Sequence, residues 1–293
     1  MIRPLETPSL SARAAETKVL RTPTVVIQPI RGLFDLDLMS LYRSWELLYF
    51  LTWRDVKVRY KQTVIGIGWA VLQPLITMVI FTALFSGVAK IPSDGVPYPI
   101  FAFAALLPWT YFSQAVARSG TSLVNNAGLI TKIYFPRLAI PLSAVLSPLV
   151  DFGVTFGLLV ALMAWYQIVP GWALLTLPFF LLLCATTALA VSLWLSALCV
   201  QYRDVGVVIP FLLQVWLYAS PVVYPVSVVP EKWRTLYSLN PMAGVIEGFR
   251  WSLVGTDSPD FGVIAVSALA VLILLFSGVI YFKHTEQTFA DIV

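Results

Sequence analysis

Six stretches of this chain are apolar enough, and long enough, to cross a lipid bilayer as helices: residues 64–89, 98–117, 138–166, 172–200, 205–224 and 262–282. The hydrocarbon core takes about 20 apolar residues as α-helix. Backbone N–H and C=O groups find no water at that depth, so each stretch must satisfy them internally, as a helix does. The runs explain why 59% of the 293 residues are apolar and only 12% charged. A soluble domain carries roughly twice that share of charge. The expected fold is an all-α integral membrane protein with six transmembrane helices. Pro108, Pro141 and Pro148 fall inside the stretches, which is tolerable where neighbouring helices repair the backbone. Many of the 10 Trp, 12 Tyr and 18 Phe stand near segment ends, where rings meet headgroups.

Charge sets the orientation. Ten of the 19 Lys and Arg precede residue 62: Arg3, Arg13, Lys18, Arg21, Arg31, Arg43, Arg54, Lys57, Arg59 and Lys61. No apolar core followed by a small-residue cleavage site resembles a signal peptide there. With the first segment inside, Arg118, Lys132, Arg137, Arg203 and Lys283 bring the inner total to 15, against Lys90, Lys232, Arg234 and Arg250 outside. The positive-inside rule then places both termini in the cytoplasm, and a span following directly argues against a basic nucleic-acid arm.

Between and before the spans lie three segments of interest. Residues 1–39 mix Pro, Ser, Thr, Arg and Glu without period and read as a flexible cytoplasmic tail. Residues 40–62 read as an amphipathic helix at the membrane interface. At 100° per residue Trp45, Tyr49, Trp53, Val56 and Tyr60 share an arc, with Arg43, Arg54, Lys57 and Lys61 opposite. That pattern suits a surface anchor in the headgroups, a docking face for a cytoplasmic partner, or both. Residues 225–255, between spans five and six, predict two short helices opened by Pro230 and by Asn240-Pro241. Each is too short to cross and too aromatic for a free loop, so a pair of re-entrant helices on the outer face is expected. Glu247 and Arg250 stand at i and i+3 there and are placed to pair. Residues 63–284 thus form the transmembrane domain and 285–293 a cytoplasmic C-terminus.

The chain is poor in groups that do chemistry. It has no Gly-Lys dipeptide, so no Walker A loop can be written. No H-E-x-x-H motif, nucleophile elbow or paired carboxylates occur. Cys184 and Cys199, on one helix, would lie about 22 Å apart along its axis, too far to bridge. The one histidine, His284, follows the last span. Neither a metal site nor a catalytic centre is expected, which argues against a glycan-modifying enzyme.

Two features remain within the spans. Asp151 is an acid at mid-span, either a proton relay or a carboxylate hydrogen-bonded into the bundle. The aromatics Trp69, Phe81, Trp109, Tyr111, Phe112, Phe152, Phe156, Trp216 and Tyr218 are either conduit-lining rings or ordinary packing. A third feature is cytoplasmic: residues 125–137 (NNAGLITKIYFPR) predict a compact helix, capped by Asn125 or Asn126, presenting Leu129, Ile130 and Ile133. An exposed apolar knob there invites a protein groove.

Three motifs carry a family resemblance: WELLYFLTWRDVKVRYKQTVIGIGWAVLQPL (45–75), NNAGLITKIYFPRLAIPLS (125–143) and LYASPVVYPVSVVPEKWRTLYSLNPMAGVIEGFRWSL (217–253). Together they resemble the permease subunits of polysaccharide-type ABC exporters, which serve O-antigen, capsule and teichoic-acid export. The resemblance spans about 43–282. It implies a homodimeric channel in the bacterial inner membrane, paired with two separate ATPase subunits that bind ATP and Mg. It implies a lipid-linked polysaccharide cargo, of undecaprenyl-diphosphate type. Asn126, Leu129, Ile130 and Lys132 would form the coupling helix that enters the ATPase. Glu46, Arg54, Asp55, Lys57 and Arg59 would line the cytoplasmic entrance near the lipid diphosphate. The permease itself would need no cofactor and would cleave nothing. Rival readings are a drug or small-lipid ABC permease and an ion-coupled secondary transporter working through Asp151.

Overall fold

The computed structural model describes residues 44–61, 67–132, 135–255, 259–286 and 289. The tail, Arg43, the first residues of the first predicted span, Ile133 and most of 285–293 lie outside them. Every element among the described residues is helical.

The chain begins with α1 (Trp45–Tyr60). Next comes α2 (Ile67–Phe81), which widens into a π-helical turn over Thr82–Val88. α3 (Tyr98–Gly120) opens on Pro97, whose missing N–H costs nothing at a helix start. Two single turns, α4 (Ser122–Asn125) and α5 (Ala127–Ile130), lead to α6 (Ala139–Leu146) and α7 (Leu149–Trp165). Pro148 separates α6 from α7, because its nitrogen has no hydrogen to give to the helix behind it. A 3₁₀ turn (Trp172–Thr176) precedes α8 (Leu177–Gln201). α9 (Val205–Ala219), α10 (Glu231–Ser238), α11 (Pro241–Val254) and α12 (Phe261–Glu286) complete the order.

Five of these segments are long and apolar enough to cross a membrane: Gly68–Val88, Tyr98–Gly120, Ala139–Trp165, Trp172–Gln201 and Phe261–Glu286. The remaining predicted span, the fifth in chain order at 205–224, is shorter than expected. Its helix α9 has 15 residues, about 22 Å, against a core of about 30 Å. Ser220 is extended (φ −110°, ψ 153°) because Pro221 follows it, and the residue before a proline is driven out of the helical region.

The bundle is organised around α3, whose apolar stretch is 78% buried inside the chain, against 17% for the first span. α3 packs on α8, α9 and α11, and α8 packs along α12. Lipid is as apolar as Leu, so close approach of small residues rather than hydrophobicity drives such contacts. α11 carries the pattern Gly244-x₃-Gly248-x₃-Ser252. A Cβ on Gly244 would sit 2.8 Å from Ser267 Cβ on α12, and one on Gly248 would overlap the Phe180 ring of α8. The Ser252 hydroxyl lies 2.8 Å from that of Thr176. α11 is therefore a wedge buried on nearly every side. Its start is capped by Asn240, whose Oδ1 accepts from Met242 N at 3.1 Å. It ends at Gly255 in the left-handed conformation (φ 69°), which glycine adopts without a Cβ penalty.

Candidate coupling and entrance site

α1 lies along α6 and buries Leu51 and Val56, while Trp45, Tyr49, Phe50 and Trp53 stay exposed. The aromatic arc is thus split. Its first half is exposed, and its second half turns inward. Glu46 and Lys57 are exposed, and the Lys57 ammonium stands 5.6 Å from the Trp53 ring centroid.

The inward side of α1 makes four long-range polar contacts. Arg59 forms an ion pair with Asp151 at the start of α7, with side chains 18% and 9% exposed. The Tyr60 hydroxyl donates to the same carboxylate. Arg59 Nη1 also donates to Gln114 Oε1 of α3 at 3.4 Å. One turn earlier, Arg54 bonds Asp55 at 2.8 Å and donates from Nη2 to Asn126 Oδ1 at 3.0 Å. One short helix thereby touches α3, α7 and the loop between α3 and α6. Asp151 is a paired acid: its charge is balanced by Arg59, and its neutralisation is what makes burial affordable.

The loop segment differs from a single capped helix. α4 and α5 are one turn each, separated by Asn126 at φ −110°. Asn126 does not cap through its side chain. Its Nδ2 reaches back to Ser122 O at 2.8 Å, while its Oδ1 takes the Arg54 bond. Lys132 is exposed and Leu129 half-buried. Ile130 is a correction: it is 6% exposed, packed in a cluster with Leu123, Val200, Phe282 and Phe289. Of Leu129 and Ile130, Leu129 is the one left open to a partner, because a one-turn helix anchored at Leu123 sends Ile130 back to the bundle.

The predicted aromatics fall into two groups. Phe81, Trp109, Tyr111, Phe112 and Phe152 are buried inside the single chain. Phe112 meets Trp216 edge-on at 5.2 Å and Trp109 at 5.5 Å. Phe152 contacts Tyr111, stacks on half-buried Phe156 at 6.2 Å and meets Phe249. Trp69 (55% exposed) and Tyr218 (54%) present open faces, on α2 and α9.

Sequence reasoning missed the network around Arg250. Arg250 is 4% exposed and does not salt-bridge Glu247. It donates to the carbonyls of Val222 (2.8 Å), Tyr224 (3.3 Å) and Phe101 (3.4 Å), and its guanidinium lies 3.6 Å from the Phe101 ring centroid. It ties the turn after α9 to the start of α3. The signal for it was visible: a lone cation in an apolar helix must find buried acceptors. Asn240 is a second tie, accepting from Trp216 Nε1 at 2.9 Å and donating to Ala219 O and Ser220 Oγ at 3.0 Å. Glu247, outside the five spans, is pushed up to about 7. Loss of hydration is the main cause; Asp260 and Asp94 add to it, and Arg250 and Arg234 oppose it.

The sequence profile of the ABC-2 type transporter family matches residues 46–254, from α1 through α11. The chain belongs to the ABC-2 transporter permeases. Among curated proteins, this ABC-2 permease is 30% identical over 255 residues to the O-antigen export system permease protein RfbA of Myxococcus xanthus, covering 86% of this chain and 97% of that one. It is 28% identical over 253 residues to RfbA of Klebsiella pneumoniae, covering 85% and 95%. It is 22% identical over 246 residues to the polysialic acid transport protein KpsM of Escherichia coli, covering 80% and 91%. The ABC-2 permease is thus a multi-pass membrane protein whose relatives are transport proteins, and its polar contacts between α1, Asn126 and Asp151 all lie inside the matched region.

Proposed function

We propose that this permease forms the membrane channel of an exporter of lipid-linked polysaccharide, of the undecaprenyl-diphosphate O-antigen type, in the bacterial inner membrane. The observation that carries this reading is the nearly end-to-end match to O-antigen export permeases. Two copies of the chain would assemble with two ATPase subunits, which bind ATP and Mg. The lack of a Walker A loop in this chain agrees with that division of labour. α9 would serve as the fifth of six spans, short because its turn after Ser220 is held inside the protein by Arg250 and Asn240. Both termini would face the cytoplasm.

In this reading α5 presents Leu129, with Asn126 and Lys132 beside it, to the ATPase. Closure of the ATPases pushes the segment. The Arg54–Asn126 bond passes the push to α1, and Arg59 and Tyr60 pass it to α3 and α7 through Gln114 and Asp151. Glu46, Arg54, Asp55, Lys57 and Arg59 sit at the cytoplasmic entrance, where Lys57, exposed and unburdened by an ion pair among the described residues, is the cation best placed for a lipid diphosphate. α2 and α9 expose their apolar faces most. They would meet the second copy, and Trp69 and Tyr218 would then face the passage that the glycan threads. The tightly wedged α11 would be fixed, leaving exposed α10 as the movable part of the outer mouth. The pairing of Asp151 with Arg59 supports a structural role for that acid rather than a proton relay.

The test is reconstitution with its ABC ATPase partner, measuring ATP-dependent movement of undecaprenyl-diphosphate-linked glycan. Transport should require both proteins and be abolished by Leu129→Asp with loss of ATPase docking. Ion-driven movement by the permease alone would refute the exporter reading.

A further inference from the structure

The coupling segment is built from two four-residue turns. Turns that short do not persist alone, since nucleation is unfavourable and each closes only a few bonds. Something must hold them. The Arg54–Asn126 bond holds the segment at its middle. Its two ends, Leu123 and Ile130, are buried in one apolar cluster with Phe282 and Phe289, from the last turns of α12 and just beyond.

That end of α12 is itself fastened. Phe282 and Phe289 are both fully buried and meet edge-on, ring centroids 5.4 Å apart. Arg137, seven residues past Ile130 and just before α6, donates from Nη1 to the Glu286 carbonyl. The same guanidinium stands 6.0 Å from the Phe289 ring centroid. A cation is favoured there because the last carbonyls of a helix have no partner within it and carry the negative end of its dipole. Lys283 adds a second positive charge, paired with the Glu286 carboxylate at 2.9 Å. The chain therefore passes from the coupling segment into α6 under a side chain that grips the far end of α12, about 150 residues later in sequence.

We propose that Arg137 and Phe289 form a clasp that positions the coupling segment against the end of α12. It makes α12 a second route, beside α1, by which motion of the segment reaches the spans. Arg137 and Phe289 are positioning residues for coupling: neither needs to touch the ATPase. The proposal rests on the reading of residues 121–132 as the ATPase-coupling segment.

The experiment uses the full-length permease in lipid nanodiscs and in proteoliposomes with its ATPase, comparing Arg137→Ala, Phe289→Ala, Arg137→Lys and Leu129→Asp. In both alanine variants the amides of residues 121–132 should exchange hydrogen about tenfold faster, the scale expected for loss of one ring or cation contact. Amides of α8 should be unchanged. The ATPase should still co-purify, while undecaprenyl-diphosphate-linked glycan moved per ATP hydrolysed should fall about threefold or more. Arg137→Lys, which keeps a donor for the Glu286 carbonyl, should restore most of both. Unchanged exchange over 121–132, or an unchanged glycan-to-ATP ratio, in both alanine variants would overturn the clasp. Leu129→Asp separates that failure from failure of the coupling reading: if it releases the ATPase while Arg137→Ala and Phe289→Ala are silent, the clasp alone is wrong, and if it leaves docking intact, the coupling reading and the clasp built on it both fall.

Discussion

Asp151→Asn is the substitution that separates a structural acid from a proton relay. It keeps the shape of the side chain and an acceptor for the Tyr60 hydroxyl, but it leaves the Arg59 guanidinium without its counter-charge. Breaking a fully buried pair from one side costs about 3–5 kcal/mol, and an exposed one about 0–1 kcal/mol. With Arg59 18% and Asp151 9% exposed, this pair is near the buried limit, and a loss of about 2–4 kcal/mol is expected. Arg59→Gln alone should cost a similar amount for the mirror reason. The double variant Asp151→Asn/Arg59→Gln removes both charges and keeps hydrogen-bonding groups, so it should recover most of the loss, and the coupling energy should then equal or exceed the cost of a single variant, about 2–4 kcal/mol. The measurement is unfolding in mixed detergent–SDS micelles with linear extrapolation, beside ATP-driven glycan transport. A double variant no more stable than the weaker single one would refute the ion-pair argument. Loss of transport in folded, ATPase-binding Asp151→Asn and in the double variant, with transport kept in Arg59→Gln, would refute the structural role, because the titratable carboxylate is what the transporting variant retains.

Two further outcomes follow from packing and charge. Gly248→Ala should destabilise the permease by about 1–3 kcal/mol, the range for overpacking, because its methyl group would overlap the Phe180 ring; Gly153→Ala, with nothing within 4 Å of the added carbon, should be neutral or stabilising by up to about 1 kcal/mol, and thermal midpoints of the two variants read the contrast directly. Glu247, raised to about 7 by burial, holds its proton in the folded state at pH values where the unfolded chain has released it, so stability contributed by this group is full below its ordinary value near 4.5 and declines as pH rises to about 7. Glu247→Gln should therefore raise the thermal midpoint at pH 8 and leave it unchanged at pH 4; an equal shift at both pH values would show that charge is not the cause.

The length of each apolar run sets the membrane class and five of the spans, because hydrocarbon thickness admits few alternatives. Local chemistry likewise marks the start of α11, where Asn240 and Pro241 supply a cap and a missing donor, and it held the stop after Ala219, where Ser220 precedes Pro221. The division of the aromatics is of another kind. Phe112 and Tyr218 look alike in sequence, yet one is fully buried and the other 54% exposed. In water, apolarity marks the inner face of a helix; in lipid both faces are apolar, so composition cannot tell which side meets protein. The same holds for the charges. Periodicity places Arg59 on a face of its own helix, but its partner lies 92 residues on, and Arg250 is satisfied by carbonyls 26, 28 and 149 residues away. Sequence alone determined that this chain crosses a membrane, and by motif which permeases it resembles. Only the tertiary structure decided which acid meets which cation and which rings form the core, because those pairings depend on how separate helices are brought side by side.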